Sequence, residues 1–165
     1  MDPVSLAARV ESDAQLARLL QIGVVLEEVV EVRAHRHYKS LPAAERADAV
    51  EDLLDEAVEE SADHRRQLES LIEALDAAEV PVGQIESLVG EQYASSQPED
   101  FDGVLYDQLH GEETAYKFYD DLITAIEDSE AQFSVDRANL LETLRDIRAA
   151  EAEGVEAVAH LMEKR

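Results

Sequence analysis

Apolar residues recur along the chain at three- and four-residue steps, and two-residue alternation is scarce. That period predicts helices and no sheet. A first stripe, Leu16, Leu20, Gly23, Glu27, Val30/Glu31, Ala34 and Tyr38, sets a helix over residues 12–40. Leu41-Pro42 closes it, because the residue before a proline avoids the α region. A second helix over 44–77 carries Leu54, Ala57, Ser61, His64, Leu68, Leu71/Ile72 and Leu75. Residues 78–97 read as a connector, opened by Val80-Pro81-Val82-Gly83, closed by Ser95-Ser96-Gln97-Pro98, with a short helix over 84–93. Pro98 suits the first turn of a third helix, and Glu99 and Asp100 suit its positive end. That helix runs to about residue 128 with Leu105, Leu109, Glu112, Tyr116, Tyr119, Ile123 and Ile126 on one face. Ser134 is the expected N-cap of a fourth, whose stripe is Leu140, Leu144, Ile147, Glu151, Gly154, Val158 and Leu161.

Four helices of about 30 residues, joined short, long, short, predict an all-α four-helix bundle with one long crossover containing a short helix. Each helix would span about 45 Å at 1.5 Å per residue. The 165 residues suit one domain, with residues 1–11 expected as a loose N-terminus. No apolar run reaches the ~18 residues of a membrane span, so no membrane partner is expected.

Charge sharpens the picture. Lys+Arg number 14 and Asp+Glu 39, a formal net charge of −25. Such a field repels phosphate backbones and argues against nucleic-acid binding. Hydrophobic residues make up 45% of the chain, so it is not an acidic disordered tail. Only three lysines stand against eleven arginines, and acids are spread throughout. This composition resembles cytoplasmic proteins of extreme halophiles, in which salt relieves self-repulsion. The absence of cysteine excludes disulfides, thiol catalysis, cysteine-based zinc sites and iron–sulfur clusters. The start Met1-Asp2-Pro3-Val4-Ser5 lacks the basic opening of a signal peptide, making a cytoplasmic location the expectation.

The chemistry lies in carboxylates placed inside apolar stripes. Glu31, Glu112 and Glu151 each interrupt an otherwise inward-facing row. A lone buried carboxylate is strongly disfavoured. Either a dication or a guanidinium must compensate each one, and Arg33, Arg65, Arg145 and Arg148 lie within about a turn of the inward faces. The chain also repeats itself. The segment from Glu31 to Leu41 aligns without a gap on that from Glu112 to Leu122, sharing Glu-x-x-Ala-x-x-(His/Phe)-Tyr-x-x-Leu.

This repeat resembles the ferritin-like superfamily, especially its rubrerythrin branch, over about residues 16–161. There the first and third helices carry a metal-binding Glu in this pattern, and the second and fourth each bring Glu-x-x-His. The resemblance implies iron or manganese, one or two ions, in a carboxylate site. It implies Fe(II) oxidation by dioxygen or peroxide, or peroxide handling, and a homo-oligomer, with a dimer as the expected state.

Here both Glu-x-x-His motifs are incomplete. Ser61 stands in the Glu position before His64, and Gly154 in the His position after Glu151. His160 is six residues past Gly154, about 9 Å along the axis, too far to substitute. The matched ligand set is Glu31, His64, Glu112 and Glu151, with Glu60 as a fifth candidate. Three carboxylates and an imidazole can hold one divalent ion, or two with waters completing the shells. Residue counts from the first turn add a complication. Glu31 is about 12 residues from it and His64 about 20, whereas Glu27 is level with Glu60, so a site shifted toward Glu27 and Glu60 is an alternative.

Other features take ordinary readings. Tyr38, Tyr116 and Tyr119 are expected as core rings with bonded hydroxyls. His35, His37 and His110 are expected on the surface or outside the ligand set, and the acidic runs 45–60 and 151–156 as solvated faces. Met1 and Met162 are the only methionines, and no inward Met on the second helix offers itself to a haem. No Gly-rich phosphate loop, serine elbow or His-Glu-x-x-His is present. Three readings follow: a metal-carboxylate protein, a catalytically degenerate bundle serving as a structural or partner-binding module, or an unrelated helical interaction domain.

Overall fold

The computed structural model describes residues 10–41, 48–76 and 101–163. They form four long helices: α1 (Asp13–Ser40), α2 (Asp48–Ala74), α3 (Phe101–Asp128) and α4 (Arg137–Glu163). At 27 or 28 residues each, they extend about 40 Å. The expected short helix over 84–93, all but the first residue of the turn expected near 41–46 and the Pro98 start of the third helix lie outside the described residues, as do the side chains of His37 and Tyr38.

Local chemistry sets the helix ends. Ser12 caps α1, its Oγ accepting from the Gln15 backbone N–H at 3.2 Å and its carbonyl from Leu16. The cap of α4 is Asp136, whose Oδ2 accepts from Asn139 N–H at 3.2 Å, and not the expected Ser134. Ser134 is instead drawn into a knot at one end of the bundle. Its N–H and hydroxyl donate to Asp13, and the Asp76 N–H donates to its Oγ at 2.8 Å. The Ser134 hydroxyl holds the Asp13 carboxyl below its ordinary pKa. Arg137 closes the α3–α4 turn by donating to the carbonyls of Ile126, Ser129 and Ala131 at 2.7–2.8 Å. Val10, expected in a loose N-terminus, is fully buried, and its carbonyl accepts from the Ser129 hydroxyl.

Cross-helix pairs define the topology. Glu31–Arg65 and Asp13–Asp76 run α1 against α2. Arg33–Asp107 and Val10–Ser129 run α1 against α3. Arg148–Asp120 and Arg145–Glu127 run α3 against α4, and His64–Glu151 with Asp76–Ser134 runs α2 against α4. Every neighbouring pair is antiparallel, so α2 and α3 point the same way. The end of α2 and the start of α3 therefore lie at opposite ends of the bundle.

The stripe predicted from Leu54 is buried at every position, Leu54, Ala57, Ser61, His64, Leu68, Leu71, Ile72 and, just past the end of α2, Leu75, and Val50 extends it by a turn. On α3 Leu109 is only partly buried, and one position departs outright. Tyr116 is 38% exposed and Ala115 is buried in its stead. A helix advances 100° per residue, so the inward row steps from Glu112 through Ala115 to Tyr119 by three and then four residues.

The apolar core comes in two main blocks. One joins Leu16, Leu20, Leu68, Ile123, Leu140 and Leu144 toward the Asp13 end. The other joins Ala34, Leu54, Leu105 and Val158 toward the opposite end. Each fully buried leucine contributes about 1.5–3 kcal/mol by leaving water. Between the blocks every helix turns polar inside: Glu27 on α1, Ser61 and His64 on α2, Gln108 and Glu112 on α3, Glu151 on α4. The unusual groups thus share one layer at the waist of the bundle.

Candidate metal centre

The waist layer takes one ionisable group from each helix. Glu27 is 0% exposed, Glu151 4%, His64 5% and Glu112 5%. His64 Nδ1 lies 3.4 Å from Glu27 Oε1 and 3.3 Å from Glu151 Oε1. One ligand atom from each of Glu27, His64 and Glu151 falls within 4.8 Å of the others, a spacing that can hold a metal ion. Glu112 adjoins them through a hydrogen bond with Glu151.

Neighbouring side chains orient the acids. Tyr119, fully buried, donates its hydroxyl to Glu27 Oε1 at 2.7 Å. Gln108 Nε2 donates to Glu112 Oε1 at 3.3 Å from one turn earlier on α3. Gly154 makes space: a Cβ at that position would stand 2.7 Å from Glu112 Oε2. The carboxylate of Glu112 therefore occupies the room that a side chain on α4 would need. On the same side, a cavity of about 50 Å³ is lined by Glu56, Glu60, Gln108, Glu112, Glu153 and Gly154, among others.

Burial controls the protonation of this layer. It raises the pKa of Glu151 well above the ordinary carboxyl value, helped by the hydrogen bond to Glu112 and the nearby Glu27 charge. Burial also raises Glu112, against the lowering pull of its hydrogen bond with Glu151. A hydrogen bond between two carboxyls needs a proton, and burial raises the pKa of both partners, so the pair holds on to one. For His64 burial works against the charged form, but Glu27, Glu60 and Asp63 outweigh it and the pKa ends up raised. Burial, then the charge of Glu27, drives Tyr119 well above 10, so its hydroxyl stays a donor. Glu60 is pushed up to about 7, by burial first and the charge of Glu56 second.

These protons do not satisfy every group. Glu27 Oε2 and His64 Nδ1 are buried without a hydrogen-bond partner, since the contacts of Nδ1 lack hydrogen-bond geometry. Among the described residues no arginine or lysine pairs with Glu27, Glu112 or Glu151.

The expected site residues separate into two groups. His64, Glu112 and Glu151 meet at the waist. Glu31 stands one turn away from Glu27, partly exposed, and pairs with Arg65 at 3.0 Å. Glu60 is half-buried and lines the cavity beside Glu112. Glu27 takes the central place on α1, level with His64 and not with Glu60. The residue count from the first turn is the sequence signal that pointed to Glu27. Of the arginines near the inward faces, only Arg65 compensates one of the stripe carboxylates. Arg33 Nη1 donates to both Asp107 oxygens at 3.1 Å, Arg145 pairs with Glu127 and Arg148 with Asp120. His35, His110 and His160 are exposed. The roles of Tyr119 and Gln108 toward the acids had no signal in the repeat itself, which marks Tyr119 only as an aromatic. No described helix is long and apolar enough to cross a membrane.

A comparison with protein-family models, curated proteins and solved structures finds no match.

Proposed function

We propose that this bundle is a metal-carboxylate protein of the ferritin-like, rubrerythrin-like kind, holding iron or manganese at its waist. The observation that carries the reading is Glu27, His64 and Glu151 converging from three helices between two apolar blocks, with two buried ligand atoms left unpartnered. Oxygen donors with one imidazole suit Fe(II) and Mn(II) better than softer metals. Glu27, His64 and Glu151 would hold the ion, with Glu112 beside them. Bound iron would supply one-electron redox chemistry toward dioxygen or peroxide. The chain's own contribution is preorganisation: Tyr119 fixes Glu27, Gln108 fixes Glu112, and the apolar blocks exclude water above and below.

A second reading draws on a specific observation. The raised pKa values of Glu112, Glu151 and His64 let the layer carry less net charge without metal. On that reading the bundle is a metal-free, catalytically degenerate module with a structural or partner-binding role.

Anaerobic loading with Fe(II) or Mn(II) in concentrated KCl, followed by elemental analysis, decides between them. The metal reading expects tight uptake, abolished by Glu151→Ala and unaffected by Glu69→Ala on the exposed face of α2. Admission of oxygen to the iron form should raise a ferric carboxylate absorption band. Protein that stays metal-free favours the second reading.

A further inference from the structure

From the shape of the waist layer we infer that the centre takes one divalent ion per chain, seated on Glu27, His64 and Glu151, and has no second ion beside it. The inference rests on the metal reading above and goes beyond it in fixing the number of ions.

Ligand spacing is the first argument. Metal–ligand bonds of about 2.0–2.3 Å put adjacent donors of one ion about 3.0–3.5 Å apart and opposite donors about 4–4.6 Å apart. The separations of His64 Nδ1 from the two carboxylate oxygens are 3.3 and 3.4 Å, and the whole trio closes within 4.8 Å. That is the size of one coordination shell. Two ions about 3.5–4 Å apart need outer donors spread over roughly 8 Å.

The second argument is where those outer donors would come from. One turn before His64 stands Ser61, buried and offering only a hydroxyl. One turn after Glu151 stands Gly154, which offers nothing, and the carboxylate of Glu112 lies across the space in front of it. One turn after Glu27 stands Glu31, already held by Arg65. Glu60 and Glu153 line the adjoining cavity, but they form no three-ligand cluster with Glu112 comparable to the Glu27 trio. Of the three buried side-chain atoms without a hydrogen-bond partner among the described residues, Glu27 Oε2 and His64 Nδ1 belong to the trio, and the third, Glu31 Oε2, already has the Arg65 guanidinium at 3.0 Å. The unmet demand for a cation is therefore local to one ion.

The consequence is chemical. Reduction of hydrogen peroxide to two waters takes two electrons and two protons, and one Fe(II)/Fe(III) couple supplies one electron. A one-ion centre confined to that couple would need a second electron from an outside donor to complete the reaction.

Titration of the full chain with MnCl2 in concentrated KCl, with excess Mg2+ to quench weak surface sites, tests the count. Equilibrium dialysis should give one tight Mn(II) per chain, and electron paramagnetic resonance the six-line signal of an isolated ion. Glu151→Gln and His64→Gln should each remove it while helical circular dichroism is retained, and Glu60→Gln should keep it. Two tight ions with an exchange-coupled spectrum would overturn the one-ion inference and leave the metal reading standing. A single ion lost in Glu60→Gln but kept in Glu151→Gln would overturn it too, by moving the ion into the cavity. No tight ion in the unsubstituted protein would overturn the metal reading, and the count with it.

Discussion

Gly154→Ala separates the demands of folding from those of the waist site. Gly154 sits inside α4 with an ordinary helical backbone, since the described glycines show no positive φ. Alanine there should gain about 0.5–1 kcal/mol of helix stability. Its Cβ, however, would meet Glu112 Oε2 at 2.7 Å and Cδ at 2.8 Å. Ordinary contact begins near 3.4 Å, so the carboxylate must retreat by roughly 0.7 Å. It is the far end of a flexible side chain, and it will move before either helix does. The movement stretches its bonds to Gln108, already 3.3 Å, and to Glu151. Weakening two hydrogen bonds costs about 1–2 kcal/mol, which roughly offsets the helical gain. Urea unfolding of the metal-free protein should therefore show a change within about 1 kcal/mol. Metal affinity should respond far more, because disturbing the partner of a ligand typically costs about 10–100-fold. A competition titration with Mn(II) reads that loss. Unchanged affinity, or a destabilisation of several kcal/mol, would refute the reasoning, since either result means that Glu112 does not share space and bonds as described.

Three further outcomes are expected. Tyr119→Phe removes the donor at 2.7 Å from Glu27 and should cost about 1–3 kcal/mol in urea melts; equal stability would show that the hydroxyl bond contributes nothing. The metal-free fold should lose stability as pH rises from about 4.5 to beyond about 7. Glu60, raised to about 7, favours the folded state while protonated, and that contribution goes as it ionises; Glu112, Glu151 and His64, also raised, act in the same direction. Melts at constant KCl should show this slope, reduced in Glu60→Gln and reversed by saturating Mn(II), and a flat profile would contradict it. Finally, diluting the salt should lower the melting temperature, because a net charge of −25 repels itself over a longer Debye length; an unchanged midpoint would dispose of the salt-adaptation reading.

The sequence by itself determined the helices and most of their inward faces. A 3.6-residue period is local information, and it located α1 and the end of α3 to within a residue, and named every buried residue on the inner face of α2 except Val50. It also singled out Glu31, Glu112 and Glu151, because a carboxylate inside an apolar row stands out without knowing its neighbours, while His64 came from the resemblance to a Glu-x-x-His motif. Several features could be decided only by the assembled bundle. The sequence offered both Glu27 and Glu31 on one stripe, and the register between α1 and α2 sent Glu27 to His64 and Glu31 to Arg65. Ser134 and Asp136 were both able to cap α4, and Ser134 went to Asp13 and Asp76 because three helix ends meet there. Gly154 reads in the sequence as a missing histidine, whereas in the fold it is the room in which the carboxylate of Glu112 lies. Periodicity fixes the direction in which a side chain points. What it meets depends on how far each helix slides along the others, and that is set by packing among residues distant in the chain.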